Sequence, residues 1–448
     1  MFTTRWILIV TLSALMTSLS YTMITPNKVT SGRGGKVVVC YVGTWAAYRP
    51  GRGTFTLEDI EPDLCTHIVY SFAGLNTSSW TITSLDPYMD LEENYGKGTY
   101  KKMTSLKKSH PGLKVTLAIG GWNEGSFNYS VLAADPVKRE VFTRSLMNFV
   151  RKYQFDGIDL DWEFPTQRGG RPEDKDNFIA LIKDMKAALT AEGYILTAAI
   201  SASLDILKAG YDLPQVYRHL DLVHLMCYDY HGLWETKTGA NAPLGPPTDP
   251  LTIEASVKYL LSHGIKPDKL VLGVPMYGRT FLLTEAEEST GSLGEPTVKD
   301  AGFQGPFTRT NGFLGYNEIC NELRTGNWTE HWDEISSTPF ANHKDRIITY
   351  DNVESIRKKV MFAMDLDLAG IMTWSIDTDD FRGDCAKPGD ATPTFPLLRT
   401  INHAIAESLD TRKKNKTNTD VKSPNSVYRI DPLPVIVLAI AGLMPVFL

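Results

Sequence analysis

Runs of consecutive apolar residues recur along the chain, and stretches with apolar residues three and four apart follow several of them. VVVCYVG (37–43) is β-branched and has no charged residue, so it reads as a strand buried on both faces. HIVYSFAG (67–74), KVTLAIGG (114–121), GIDLDW (157–162), YILTAAIS (194–201), DLVHLMCYD (221–229), KLVLGVPMYG (269–278) and AGIMTWSID (369–377) continue the series. Asp135-Pro136 supplies a cap and a first-turn proline, and Val141, Phe142, Leu146, Phe149 and Val150 then share one helical face. Phe178, Leu181, Ile182, Met185 and Leu189 mark a second such helix. Eight strands alternating with helical patterns predict a TIM (β/α)8 barrel, an α/β fold with its helices outside. The alternative is a doubly wound open sheet, but no GxGxxG turn follows the first strand.

One interval is too long for a single barrel connection. After Arg279 the next barrel strand starts near Ala369, and a helix over about 353–364 fills only the end of the gap. Residues 282–349 carry Gly, Thr, Pro and aromatic residues without a clear helical pattern, and read as an inserted subdomain on the wall of the barrel mouth. The barrel itself is expected over 36–406. A polar linker follows over 411–434, rich in Lys, Asn, Thr and Ser.

Both ends read as processing signals. Arg5, an apolar run from Trp6 to about Met16 and small residues at Ser18 and Ser20 predict a signal peptide over 1–20, hence a secreted chain. The alternative is an uncleaved anchor. Residues 435–448 have no charge but fall short of the roughly 20 apolar residues of a spanning helix. A polar spacer and small residues precede them, the order of a GPI-attachment signal, with a short tail anchor as the alternative.

Composition narrows the class. The 448 residues are 42% hydrophobic and 22% charged, as in a globular protein rather than a disordered one. A net charge of −6 without a long basic run argues against a nucleic-acid partner. None of Cys40, Cys65, Cys227, Cys320 and Cys385 forms a CxxC pair, so a zinc site is not expected. Two disulfides and one free thiol suit a secreted chain. Four N-glycosylation acceptors, at Asn76, Asn128, Asn327 and Asn415, fit the same compartment.

The fourth run is unusual. FDGIDLDWEFP (155–165) places Asp156, Asp159, Asp161 and Glu163 within nine positions. Alternate strand residues share a face, so Asp159, Asp161 and Glu163 point one way, about 6.6 Å apart between neighbours. Ile158, Leu160 and Trp162 point towards the covering helices, and the same parity leaves Asp156 with a structural role. In a barrel the carboxylates face the interior, and Glu163 reaches the C-terminal mouth where catalysis occurs. Three carboxylates in line do not all ionise near neutral pH, and a retained proton is what a general acid needs. An EF-hand calcium loop would need Gly and Glu where Asp161 and Gln167 stand. A solvated acidic edge would not alternate with Ile, Leu and Trp.

DGIDLDWEFP resembles the DxxDxDxE signature of family 18 glycoside hydrolases, the chitinases and their lectin relatives. CYVGTWAAYRPG, AIGGWNEGS, MCYDYHGLWE, VPMYGRTF and MTWSIDTDDFRGDC are similar to further motifs of that family, in the family's order over about 36–406. Ala118 stands where many members carry Ser. The resemblance implies an α+β insertion between strands seven and eight. It also implies retaining, substrate-assisted hydrolysis of β-1,4 N-acetylglucosamine linkages, with no metal or organic cofactor.

Carried onto this chain, the resemblance makes Glu163 the acid and base. Asp161 becomes the partner of the substrate acetamide, Asp159 its support, and Tyr228 the holder of the acetamide carbonyl. Trp374 would floor the site. Tyr41, Phe72, Trp45, Trp122, Asn123, Met226, Asp229, Trp234, Tyr277, Arg279 and Glu318 would line the cleft. Cys40 would pair with Cys65 and Cys320 with Cys385, leaving Cys227 as an inert buried thiol. His231 is expected to be a hydrogen-bonding site residue. The implied partner is chitin or a chitooligosaccharide; the chain is expected to act as a monomer, and the tail read above offers membrane attachment. The reading is an endo-acting chitinase; a chitin-binding lectin without turnover is the alternative, and an endo-β-N-acetylglucosaminidase a weaker third.

Overall fold

The computed structural model describes residues 33–285, 291–387, 389 and 391–421. The apolar runs become β1 (Val37–Gly43), β2 (His67–Asn76), β4 (Lys114–Gly120), β5 (Gly157–Asp161), β6 (Ile195–Ser201), β7 (Leu222–Met226), β8 (Leu270–Pro275) and β14 (Gly370–Trp374). These pair in parallel, each with its neighbours, and β1 bonds to both β2 and β14, which closes the barrel. A further short strand, β3 (Thr81–Ser84), folds back antiparallel on β2. Inward-facing Val39, Tyr41, Val69, Ala118, Val271 and Met372 fill the interior, so the barrel is a packed core and not a pore.

The helices form for the reasons the pattern gave. Pro136–Tyr153 starts where the Asp135 carboxylate accepts from the N–H groups of Val137 and Lys138. It ends at Gln154, whose φ of 62° is left-handed. It buries Phe142, Leu146, Met147 and Val150, and Asp174–Thr190 beside it buries Phe178, Leu181, Ile182, Met185 and Leu189. Each such side chain stabilises the fold by roughly 1.5–3 kcal/mol. Leu181→Ala would cost about 2–5 kcal/mol, because the cavity it leaves adds to the lost burial.

The insertion departs from the sequence reading in two ways. It begins at Tyr277 rather than 282, because the seventh run is two strands. After β8 a single residue, Met276, intervenes before β9 (Tyr277–Leu282), which leaves the barrel. β9 joins an antiparallel sheet with β10 (Phe313–Gly315), β11 (Thr329–Asp333), β12 (Thr338–His343) and β13 (Arg346–Thr349), in the order β10-β9-β13-β12-β11. Met276 ties both bodies together: its N–H donates to the Trp374 carbonyl at 2.8 Å, and its carbonyl accepts from Tyr316 at 2.9 Å. The insertion also contains a helix, Tyr316–Arg324, whose Tyr316, Ile319, Cys320 and Leu323 stand three and four apart within a stretch read as having no clear helical pattern.

Cys40 is bonded to Cys65, and Cys320 to Cys385, joining β1 to the approach to β2 and the insertion helix to the loop after β14. Cys227 is free and buried, and burial pushes its thiol up to about 12, so it has no thiolate character. The linker expected from 411 begins as helix, because Pro396–Val421 runs through it. Glu407, Asp410, Arg412, Lys413 and Lys414 flank Thr411, and such residues suit the exposed end of a helix. The expected signal peptide, the rest of the linker and the tail lie outside the described residues. Among the described residues, no helix is long and apolar enough to cross a membrane.

Candidate active site

The acidic strand delivers its carboxylates into a graded environment. Asp159 is fully buried, and its two oxygens accept from the Tyr41 hydroxyl at 2.6 Å and the Thr197 hydroxyl at 2.5 Å. His224 Nδ1 lies 3.2 Å from Asp159 and 2.8 Å from the Tyr41 oxygen. Asp161 is also buried, and its Oδ1 has no hydrogen-bond partner. Burial, then Glu163, then Asp159 hold the Asp161 proton affinity well above the usual carboxylate range. Glu163, just past the strand, is pushed from an ordinary 4.5 to about 7 by burial and then by Asp229, against the opposing charge of Arg168. Asp156 is apart from all of this. Its carboxylate accepts from the Val115 N–H and faces Lys107 at 3.0 Å, a structural anchor as strand parity requires.

Close backbone approach makes room for this strand. The Gly121 N–H donates to the Asp161 carbonyl at 2.8 Å. A Cβ on Gly120, at φ 112°, would sit 2.1 Å from that same carbonyl oxygen. One on Gly121 would meet the Phe72 ring at 2.8 Å. Only glycine brings the end of β4 this close.

Aromatic rings line the mouth. Trp374 lies 5.6 Å from Tyr41, 5.8 Å from Phe72 and 6.1 Å from Trp45, centroid to centroid. Trp45, Trp122 and Trp234 are each exposed by more than two-fifths, at 44%, 58% and 41%, so each offers ring surface to a ligand. A cavity of about 370 Å³ lies between Trp45, Tyr48, Phe307, Arg309, Phe313 and Trp374. Asn123 is exposed beside Trp122, and Met226 packs at the top of the interior cluster.

The strap after β7 carries the rest. The Tyr228 hydroxyl has a single weak contact, to Met372 Sδ at 3.7 Å. Asp229 accepts from the Tyr277 hydroxyl at 2.6 Å and from Arg279 at 2.6 and 2.8 Å. Arg279 in turn lies 5.3 Å from the Trp234 ring. His231 Nδ1 is 2.8 Å from Glu235, which identifies its partner.

Three cleft residues of the sequence reading are buried within the protein: Tyr41, which bonds Asp159, Tyr277, which bonds Asp229, and Glu318, which is taken up entirely by the protein. The Glu318 carboxylate accepts from Phe307 N, Thr308 N, the Thr308 hydroxyl and Gly315 N at 2.6–2.9 Å. Those donors consume its lone pairs, so it fixes the cavity-lining loop instead of meeting a ligand. Phe313, Arg168 and Asp377 belong to the site without having been read from the sequence. Asp377 accepts from Gly43 N at 2.8 Å and pairs with Arg49 at 2.7 Å, holding the Trp45 loop. It lies inside the eighth motif, which could have marked it; nothing in the spacing marks Arg168.

Among the described residues, Cys320, Asp380 and Cys385 form the one group with metal-ligand spacing, and its two sulfurs are bonded to each other. The arrangement as a whole offers a proton held near neutrality, an unpartnered buried oxygen beside it and exposed aromatic faces. It suits acid-assisted cleavage of a ligand with flat apolar faces and an N–H group.

Residues 37–379 match the model of glycosyl hydrolases family 18. Probable chitinase 2 of Drosophila melanogaster is 49% identical over 399 residues, covering 84% of this chain and 81% of that protein. The crystal structure of a group IV chitinase from Ostrinia furnacalis bound to allosamidin superposes with a TM-score of 0.78 at 41% identity, covering 83% of this chain and 99% of that one. Human YKL-39, a pseudo-chitinase with retained chitooligosaccharide binding, is similar at 30% identity and a TM-score of 0.74, with 83% and 99% coverage.

Proposed function

This chain belongs to glycosyl hydrolases family 18 and is a chitinase, and we propose that it cuts internal β-1,4 bonds of chitin with retention, using the substrate's own acetamide as nucleophile. The observation that carries the mechanism is the Asp161 oxygen, buried and without a partner next to the proton of Glu163. A buried acceptor left unpaired is costly, and the acetamide N–H of a bound sugar would satisfy it.

The steps balance. Glu163 gives its proton to the glycosidic oxygen as the C1–O bond breaks, and the acetamide carbonyl oxygen bonds to C1 from the opposite face. The resulting oxazolinium ion is cationic, and Asp161, as it yields its held proton to the pair it forms with Asp159, stabilises the ion through the N–H. Asp159, already gripped by the Tyr41 and Thr197 hydroxyls, supports Asp161 by sharing a proton with it. Tyr228, whose hydroxyl has so little else to bond, steadies the acetamide carbonyl. Glu163 then takes a proton from water as the water oxygen bonds to C1 and the bond from C1 to the acetamide oxygen breaks, which regenerates the acetamide and the original configuration. Trp374 floors the reacting sugar, and Trp45, Trp122 and Trp234 stack on the sugars either side of it.

The test is Glu163→Gln. The variant is expected to bind a chitin hexamer as the parent does while releasing no product. Turnover by the variant would refute the acid role. The lectin reading has support in the likeness to YKL-39, and it prevails if the parent protein binds the hexamer yet yields no product at any pH. We further propose secretion through residues 1–20, action as a monomer and surface tethering through residues 435–448. Exposed Asn76 and Asn327 fit a glycosylated extracellular chain. Release from cell membranes by a GPI-cleaving phospholipase is the expected result, and retention counts against the anchor.

A further inference from the structure

The loop after the acidic strand contains an arrangement that the reaction above does not use. Arg168 lies flat against the Trp122 ring, its guanidinium carbon 3.5 Å from the ring centroid. The same guanidinium donates to the Trp122 carbonyl at 2.8 Å and to the Glu163 carbonyl at 3.1 Å. Its backbone is left-handed, at φ 49°, and Gly169 follows at 92°. One cation thus packs on the ring of a tryptophan that is still 58% exposed, and ties that tryptophan to the backbone of the proposed acid. Trp122 follows β4 and Glu163 follows β5, and Arg168 bridges the two loops alongside the Ser126 hydroxyl, which donates to the Phe164 carbonyl at 2.8 Å.

We propose that Arg168 is a positioning residue for the leaving sugar: it clamps Trp122 as the platform under that sugar and fixes the platform relative to the Glu163 proton. The inference rests on the reading of Glu163 as the acid. Proton transfer needs the glycosidic oxygen within hydrogen-bond reach of the carboxyl, so a platform that drifts misplaces the oxygen even when Glu163 is intact. A planar guanidinium suits this task better than an ammonium, because it stacks and donates in fixed directions together. Its charge also opposes the retention of the Glu163 proton. The other charged or titratable groups acting on or beside Glu163 are Asp161, Tyr211, Tyr228 and Asp229.

The experiment compares two substrates whose donor side is the same. In chitotetraose the leaving group is a sugar that needs a platform. In β-chitobiosyl fluoride it is a single atom that needs none. Arg168→Met is expected to lose about tenfold in kcat/KM on chitotetraose, the middle of the range for a stacked cation, and to stay within about twofold on the fluoride. In a Trp122→Ala background the same substitution is expected to add no further loss on chitotetraose. Arg168→Lys keeps the charge, so the alkaline limb of its pH profile stays with the parent while much of the tetraose loss remains. Equal losses on both substrates would make Arg168 a general structural residue and overturn the proposal. So would no loss on either, or full additivity with Trp122→Ala. Failure of the acid reading is separate, since it appears as turnover by Glu163→Gln.

Discussion

Replacing Asp229 by Asn removes one negative charge from the surroundings of Glu163 while preserving shape. The position suits the substitution. Asp229 is left-handed at φ 60°, a conformation that Asn tolerates better than most residues. The amide oxygen can still accept from Tyr277 and Arg279. The Glu163 proton is held from an ordinary 4.5 to about 7, a difference of 2.5 pH units or about 3.4 kcal/mol. Burial is the larger cause and persists in the variant. Asp229 is the next, and one neighbouring carboxylate is worth about one pH unit, or ~1.4 kcal/mol. Arg279, no longer neutralised, pushes in the same direction. The alkaline limb of kcat/KM on chitotetraose, which follows deprotonation of the free acid, is therefore expected to fall from about 7 to about 6. The height of the profile also drops if Asp229 touches sugar, so the readout is the position of the limb. A limb that stays in place, or rises, refutes the idea that Asp229 acts on Glu163 through its charge.

Three further outcomes follow from the same geometry. Tyr228→Phe is expected to lower kcat about 10²–10³-fold without changing stability, because the hydroxyl has only a 3.7 Å contact to Met372 within the protein; a denaturation midpoint that falls with the rate would point to a structural role. Glu318→Gln turns a buried amide towards backbone donors that need an acceptor. It is expected to cost about 1–3 kcal/mol in denaturant titration and to raise KM for long oligosaccharides more than it lowers kcat. Stability provides a test of the Glu163 proton itself. A folded pKa raised above the unfolded one stabilises fully below the unfolded value, and that contribution is lost as pH rises from about 4.5 through about 7. Glu163→Gln cannot lose a proton, so it is expected to match the parent near pH 4 and exceed it by up to about 3 kcal/mol near pH 8; parallel stability curves would refute this.

The barrel was legible because its strands are covered on both sides and so appear as unbroken apolar runs bounded by turns. The acidic strand stood out by interrupting that rule at alternate positions. The start of the insertion was not legible. In KLVLGVPMYG the last barrel strand before the insertion and the first strand of the insertion sheet follow one another with one residue between, so no polar break marks the change of partner. The helix at Tyr316–Arg324 was legible and overlooked: Tyr316, Ile319, Cys320 and Leu323 have helical spacing, but they sit among the Gly, Thr and Pro residues that made the whole interval read as irregular. Glu318 shows a different limit. A motif gives a residue's place in the chain but not the direction of its side chain, and four inward donors took this carboxylate away from the cleft. Arg168 lies in a loop, where apolar periodicity carries no information, and its role depends on a tryptophan 46 residues away.

The single residue between β8 and β9 has a consequence for how such a molecule could be altered. The insertion is not a cassette. Excising 277–349 as a unit would take Tyr277 and Arg279, and Asp229 would be left charged and without these two donors. It would also remove the N–H of Tyr316 from the Met276 carbonyl, at the point where Met276 still pairs with Trp374. A recombinant that exchanged the wall between two such enzymes would have to cut no later than the end of β7, so that the strap carrying Asp229 travels with it. The natural seam of this protein lies within the barrel, not at the edge of the subdomain that looks separable.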